Sequence, residues 1–130
     1  MLAEHPIDVM LLATDLTTAK DFYGARLGLE VLIETDDFVT FRCGGDSRLV
    51  VTKSSSGTSE DQTKASWRVG DVAAAVADLR SRGVQVMDYD EPSLKTVDGV
   101  ADVGFALTAW FADPSGNTIG LMQFKDPRNG

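Results

Sequence analysis

The residues that could carry chemistry in this chain include one cysteine and one histidine. Cys43 ends a strand-like run over residues 38–43, and His5 lies near the first residue. A nucleophilic cysteine needs a neighbouring base, and only His5 could serve, so Cys43 is predicted to be a small, half-buried hydrophobic residue. A single cysteine excludes an intramolecular disulfide, which fits a reducing cytoplasm.

Polar candidates occur at two equivalent points, Asp8 and Lys64, each at the start of an alternating segment. One interpretation is a polar pair that holds a charged ligand and in which each residue shifts the pKa of the other. The alternative is an ion pair or two solvated strand ends. Alternation places further small, sulfur-containing and polar residues on the same strand faces. This predicted lining, which suits a flat or amphipathic organic ligand, comprises Asp8, Met10, Leu12, Lys64, Ser66, Arg68, Thr118, Gly120 and Met122.

Aromatic candidates lie in the second half of the chain. Trp110 and Phe111 are neighbours on a predicted strand, so they face opposite sides, and Trp110 is either a stacking platform or core filling. Tyr89 is expected to reach the edge of the binding surface. The segment 92–102 is long for a hairpin connection, which is typical of a lid or of a segment without regular structure.

The elements that must position these residues come as a repeat. Two stretches each run strand, aspartate, helix, glycine, strand, with Asp15 and Asp71 56 positions apart and Gly28 and Gly83 55 positions apart. Asp15 (or Thr17) and Asp71 are predicted helix caps, and the two glycines are predicted left-handed helix ends. A period of this length indicates a duplicated half-domain.

Each helix is followed by three predicted extended segments, and Phe22 and Tyr23 are predicted core residues between helix and sheet. The segments are 29–35, 37–43 and 47–54, then 84–91, 103–112 and 117–124. The sequence therefore predicts a single α+β domain with two βαβββ modules, about 7–53 and about 65–124, joined by a linker at about 54–64. Two such sheets facing each other are expected to form a cup.

Two motifs resemble the vicinal-oxygen-chelate superfamily, the glyoxalase, bleomycin resistance and extradiol dioxygenase group. Its first-module signature is similar to Thr14-Asp15-Leu16 with Ala19, Phe22-Tyr23 and Leu27-Gly28-Leu29, and its closing hairpin is similar to Asp113-Pro114-Ser115-Gly116-Asn117. The resemblance extends from Ile7 to about Phe124. It implies the glyoxalase/bleomycin resistance fold, whose members have many different activities.

The resemblance also implies four metal-ligand positions, which in metal-dependent members hold a divalent ion that polarises the substrate. Their equivalents here are Asp8, Lys64, Gly120 and one residue within 49–52. Asp8 alone could coordinate a metal, because the segment 49–52 has no histidine, aspartate or glutamate. The chain thus resembles a member without a metal site, and no cofactor is expected.

The composition indicates which classes of partner are expected. The net charge of −8 repels phosphate backbones, so nucleic acid is not an expected partner, although a cationic ligand would be attracted. No apolar run approaches the length of about 18 residues that a membrane helix needs. The first residues have no signal-peptide pattern, so a cytoplasmic protein is expected.

Two functions follow from the resemblance. The first is a metal-independent small-molecule-binding protein that sequesters an antibiotic or another organic ligand and works as a homodimer. The alternative is a glyoxalase-like lyase, isomerase or dioxygenase acting with a divalent metal. A metal-free enzyme with Asp8 as general base is a further form of this alternative, since proton transfer needs no metal cluster.

Overall fold

The computed structural model describes residues 1–56 and 62–126, which divide into two compact units. The first unit also includes Asp113–Asn117. After a short 3₁₀ helix, Leu2–Glu4, it contains β1 (Asp8–Ala13), α1 (Leu16–Lys20), β2 (Glu30–Glu34), β3 (Phe38–Arg42) and β4 (Arg48–Lys53). A π-helical turn, Asp21–Arg26, directly continues α1.

The second unit contains one helix, three strands of six or seven residues and three strands of two residues. Its elements are β5 (Thr63–Arg68), α2 (Val72–Ser81), β6 (Asp90–Glu91), β7 (Leu94–Lys95), β8 (Ala101–Asp102), β9 (Ala106–Ala112) and β10 (Thr118–Phe124). Residues 57–61 of the predicted linker lie outside the described residues. No helix in the described part of the chain is long and apolar enough to cross a membrane.

The sheet of the first unit has the order β1-β4-β3-β2, with β1 parallel to β4 and the other pairs antiparallel. The odd-numbered side chains of β3 and β4 are buried on the helix side of this sheet, whereas a bulge in β2 between Val31 and Ile33 reverses the alternation there. Tyr23 and Phe41 place their ring centres 5.8 Å apart, and both side chains are completely buried. Phe22 is 7% exposed, so the prediction that Phe22 and Tyr23 are core residues is confirmed.

The predicted helix ends are also confirmed. Asp15 accepts a hydrogen bond from the Thr18 amide at 3.1 Å, and Asp71 accepts one from the Ala74 amide at 3.0 Å. Each aspartate thereby satisfies an amide that the first helical turn leaves without a partner. Gly28 and Gly83 both have a φ of 78°, the left-handed conformation that favours glycine.

The sheet of the second unit repeats this connectivity, with the order β5-β10-β9-β8 and β5 parallel to β10. Gln123 on β10 accepts a hydrogen bond from the Val72 amide of α2 at 2.9 Å, so the odd-numbered residues of β10 face the helix. Phe111 is 1% exposed on that same side, where its ring stacks on Trp67 with centres 6.5 Å apart. The α+β architecture predicted from the sequence is confirmed in both units.

The prediction of a continuous strand over 84–91 is wrong. Only Val86 bridges to Phe111, and residues 90–91 pair locally with 94–95. The Tyr89 amide donates to the Thr96 hydroxyl at 2.8 Å, and the Thr96 amide donates to the Tyr89 carbonyl at 2.9 Å. Because these backbone groups are satisfied within a local hairpin, they are not available to β9.

The segment 92–102, predicted as a lid or an irregular loop, has regular structure of its own. It contains β7, β8 and a bridge between Val97 and Val100. Asp98 and Gly99, at the tip of that bridge, have φ values of 52° and 81°. A Cβ atom on Gly99 would lie 2.8 Å from Cγ1 of Val86, so the tip packs closely in the second unit and is not a free lid.

Candidate functional site

Seven of the eleven predicted site residues come together in the second unit. Gly120 on β10 pairs with Ser66 on β5 and with Trp110 on β9, while Met122 pairs with Arg68. Paired residues on neighbouring strands place their side chains on the same sheet face. This face, opposite the one that meets α2, is called the Trp110 face; it comprises Thr63, Ser66, Arg68, Thr108, Trp110, Thr118, Gly120 and Met122.

An aromatic corner forms the most prominent part of the Trp110 face. The rings of Tyr89 and Trp110 meet edge to face, with centres 5.5 Å apart and an interplanar angle of 88°. The Tyr89 hydroxyl lies 3.0 Å from the Met87 sulfur, and the Met87 amide donates to the Trp110 carbonyl at 2.8 Å. Both rings are half-buried, so they are positioned by the protein and still present surface.

This corner resolves the alternative that the sequence left open at positions 110 and 111. Phe111 packs against Trp67 on the side of α2, and Trp110 lies on the opposite side. The choice depends on which sheet face the helix covers, which alternation alone does not specify.

Gly120 leaves room for the polar part of the same face. A Cβ atom at this position would lie 3.1 Å from the Ser66 hydroxyl and 3.3 Å from a methyl group of Thr63. Because Gly120 has no such atom, the Ser66 hydroxyl lies close to the backbone of β10. Ser66 and Arg68 are both exposed, so a hydroxyl and a guanidinium are available on the same sheet face as Trp110.

Lys64 lies at an irregularity of β5. Thr63 pairs with Thr118 and Ala65 pairs with Ile119, so Lys64 is the extra residue of a bulge between them. Bulges redirect side chains locally. Lys64 is half-buried at the end of the strand that carries Ser66 and Arg68.

The other three predicted residues, on β1, belong to the first unit. Asp8 accepts two hydrogen bonds from Arg48, at 3.1 Å from Nε and 2.7 Å from Nη2. These hydrogen bonds hold the pKa of Asp8 below its usual value, so the carboxylate is a weaker base than an ordinary aspartate. Met10 and Leu12, on the same sheet face, are 63% and 44% exposed.

Sequence reasoning missed Arg48 because its position opposite Asp8 comes from the parallel register of β1 and β4. It also missed a buried network around Asp113. Tyr23 donates its hydroxyl proton to Oδ2 of Asp113 at 2.6 Å, and Asn117 donates to the same oxygen at 2.8 Å. The Asn117 amide group also donates to the Leu12 carbonyl at 2.8 Å. The motif at 113–117 predicted a hairpin, but nothing in it indicated a tyrosine ninety residues earlier.

Two surface clefts lie elsewhere. One, of about 470 Å³, is in the first unit and is bordered by Asp15, Lys53 and the ion pair of Lys20 with Glu34 at 2.8 Å. The other, of about 640 Å³, lies in the second unit between α2 and residues 97–100. Neither includes a predicted site residue. Within residues 1–56 and 62–126, no three histidine, cysteine, aspartate or glutamate side chains are grouped so that they could hold a metal ion.

Comparison with known proteins identifies the architecture. A family model described as "Glyoxalase/Bleomycin resistance protein/Dioxygenase superfamily" matches residues 7–121. A search of curated proteins found no match.

Three solved structures illustrate the likeness. A glyoxalase/bleomycin resistance protein/dioxygenase from Alicyclobacillus acidocaldarius is 22% identical, with a TM-score of 0.73 over 95% of this chain and 94% of that one. TnmS3, an antibiotic binding protein from Streptomyces sp. CB03234, is 26% identical, with a TM-score of 0.66 over 93% and 96%. Lactoylglutathione lyase from Agrobacterium tumefaciens is 20% identical, with a TM-score of 0.64 over 90% and 91%. The predicted fold is confirmed by these matches.

Proposed function

This chain belongs to the glyoxalase/bleomycin resistance protein/dioxygenase superfamily, and from that premise we propose that it is a metal-independent binding protein for a small organic ligand. The observation that carries the proposal is the Tyr89–Trp110 corner, which is built into the sheet face opposite α2. The 26% identity to a structure described as an antibiotic binding protein supports the same class of function.

The chemistry of the Trp110 face suits a planar ligand. Small-molecule sites combine apolar and aromatic surface with a few polar groups that fix orientation. Trp110, Tyr89 and Met122 offer the first kind of surface. Ser66 and Arg68 offer the second. Aromatic rings favour edge-to-face or offset stacking. A flat ligand ring would therefore stack on Trp110, which already has an edge-to-face contact with Tyr89.

Metal independence is supported by the residues at the four positions where metal-dependent relatives are expected to hold ligands. Asp8 is engaged by Arg48, Lys64 is cationic, and Gly120 has no side chain. The segment 49–52 contains leucine, two valines and threonine. A divalent ion needs several nitrogen, sulfur or oxygen donors, and these positions do not fit one. Stoichiometric zinc, nickel, manganese or iron in protein purified without chelators would refute this part of the proposal and favour the metal-dependent lyase, isomerase or dioxygenase.

The first unit offers a second surface. Met10 and Leu12 are exposed on β1, beside Asp8 and its partner Arg48. A cluster of exposed apolar side chains on one sheet face is typical of a surface covered by a partner or a ligand. We assign this face to a second copy of the chain, in agreement with the homodimer expected from the sequence. Sedimentation equilibrium tests the assignment, and a monomer mass at all accessible concentrations would contradict it.

The two tryptophans provide the direct test of ligand binding, because Trp110 lies on the proposed binding face and Trp67 lies on the side of α2. Each indole N–H gives its own peak in a ¹H–¹⁵N spectrum, and the variant Trp67→Phe assigns them. Titration with planar aromatic compounds up to about 1 mM is expected to shift the Trp110 peak and leave the Trp67 peak nearly unchanged. Equal shifts of both peaks, or no shift with any compound, would refute the proposal.

A further inference from the structure

We infer that the ligand of the Trp110 face is an aromatic compound that carries an acidic group, such as a carboxylate, and that Arg68 holds this group. The inference rests on the proposed function and specifies the class of ligand. It is drawn from the local charge of the face and from the positions of Arg68 and Trp110 in the sheet.

The charge of the Trp110 face is opposite to that of the protein. The chain has 20 acidic and 12 basic residues, with a net charge of −8. None of the eight residues that define the Trp110 face is acidic, and Arg68 supplies a positive charge. A positively charged patch on an acidic protein favours an anionic group at that place.

Arg68 differs in its surroundings from three other arginines of the structure. Arg42 pairs with Glu30 at 3.0 Å, Arg48 pairs with Asp8 at 2.7 Å, and Arg82 pairs with Asp78 at 3.0 Å. Arg68 is exposed and has no ion-pair partner in the part of the chain that the structure describes. Its guanidinium is therefore available to form a bidentate pair with an external carboxylate.

The strand register places this cation at a suitable distance from the aromatic corner. Arg68 and Met122 are a cross-strand pair, and Ser66, Gly120 and Trp110 are aligned across the same three strands two residues away. Each such set of aligned residues forms a row across the sheet face. Rows on one face are about 7 Å apart along the strands, and β5 and β9 flank β10 at about 4.8 Å each. The Cα atoms of Arg68 and Trp110 therefore lie about 12 Å apart. A two- or three-ring aromatic acid can place its ring against Trp110, cross Met122 and direct its carboxylate to Arg68.

The net charge of the protein does not outweigh this local arrangement. Charges separated by more than the Debye length, about 8 Å at physiological ionic strength, are largely screened. A guanidinium–carboxylate pair instead acts at hydrogen-bond distance and is among the stronger polar contacts in proteins. The net charge taken alone favours a cationic ligand, whereas the residues of the face favour an anionic one.

Three naphthalene probes of similar shape test the inference: 2-naphthoate, its neutral methyl ester and the cation 2-naphthylmethylammonium. Affinity is measured from the Trp110 indole peak in wild type, Arg68→Gln and Arg80→Gln. Arg80 is an exposed arginine of α2 in the same unit, so its substitution removes the same charge away from the Trp110 face. In wild type, 2-naphthoate is expected to bind at least about tenfold more tightly than the ester. Arg68→Gln is expected to remove this preference, and Arg80→Gln is expected to retain it.

The outcomes separate this inference from the proposed function. If the three probes shift the Trp110 peak with equal affinity, or if the cation binds best, the face binds aromatic ligands but the inference of an acidic group is wrong. If no probe shifts the peak, the proposed function and the inference both fail. Arg68→Lys provides a second variant, because it keeps the charge but loses the bidentate geometry. It is expected to keep part of the preference for 2-naphthoate, and a complete loss would contradict the role assigned to charge.

Discussion

Replacing Tyr23 with phenylalanine removes a single hydroxyl group from the interior of the first unit. That hydroxyl donates to Oδ2 of Asp113 at 2.6 Å, and the Tyr23 side chain is completely buried. Phenylalanine occupies nearly the same volume, so the ring packing against Phe41 is expected to persist. The Asp113 carboxylate keeps its hydrogen bond from Asn117 at 2.8 Å but loses its shortest one.

The expected cost is about 2 kcal/mol of unfolding free energy, because hydrogen bonds to charged groups contribute about 1.5–3 kcal/mol. For a chain of 130 residues, with an unfolding entropy of about 2 cal/mol/K per residue, this corresponds to a melting temperature about 7 °C lower. Calorimetry and urea denaturation both measure the loss.

The chain contains a matched control in its only other tyrosine. The Tyr89 hydroxyl contacts the Met87 sulfur at 3.0 Å, and Tyr89 is half-buried. A thioether is a weak acceptor and Tyr89 is only half-buried, so Tyr89→Phe is expected to cost less unfolding free energy than Tyr23→Phe. If the two variants melt at the same temperature, the stabilisation assigned to the Tyr23–Asp113 hydrogen bond is wrong.

The pH dependence gives an independent check. Burial, then the charge of Asp113 and its hydrogen bond, raise the pKa of Tyr23 above the ordinary value of 10.0. In the unfolded chain the phenol loses its proton near that value, while in the folded protein it keeps it. Its contribution to stability is therefore complete below about pH 10 and falls by about 1.4 kcal/mol for each pH unit above it. Tyr23→Phe removes this loss, and identical alkaline profiles for wild type and variant would contradict the explanation.

Two further predictions concern turns and charge. Gly99→Ala is expected to destabilise more than Gly45→Ala in thermal melts, because both glycines have positive φ but only the Gly99 Cβ would clash, at 2.8 Å from Val86 Cγ1. The Gly45 variant is destabilised only by the cost of placing alanine at positive φ, about 1–2 kcal/mol. Equal losses of stability in the two variants would contradict the packing argument. Arg48 lowers the pKa of Asp8, so this pair stabilises the fold above about pH 4 and ceases to do so as acid protonates the carboxylate. Arg48→Gln is expected to flatten the acid side of the stability profile in urea denaturation, and an unchanged acid side would show that the pair contributes nothing.

The features that the sequence predicted correctly depend on neighbours in the chain. Asp15 and Asp71 cap helices because a carboxylate reaches an amide three residues later. Gly28 and Gly83 end helices because glycine adopts positive φ at little cost. These signals recur at nearly equal spacing, which is why the duplication, the α+β fold and the family could be read from the sequence.

The sequence was less informative about segments whose backbone groups can form hydrogen bonds with more than one neighbouring segment. Residues 84–91 have the apolar pattern of a strand, but the hydrogen bonds between Tyr89 and Thr96 close a local hairpin instead. Sequence pattern describes the tendency of a segment to be extended. It does not say which backbone groups will be nearest when the segment forms its hydrogen bonds.

The sequence by itself thus determined which residues alternate on each strand and which residue types are available for binding. Tertiary structure decided that α2 covers the side of Phe111, which leaves Trp110 on the opposite face with Tyr89, Ser66 and Arg68. It also decided that Asp8 meets Arg48, because the parallel register of β1 and β4 places them opposite each other. The physical reason is that alternation fixes side-chain faces only relative to one strand, whereas contacts between distant residues depend on strand register and on which face a helix covers.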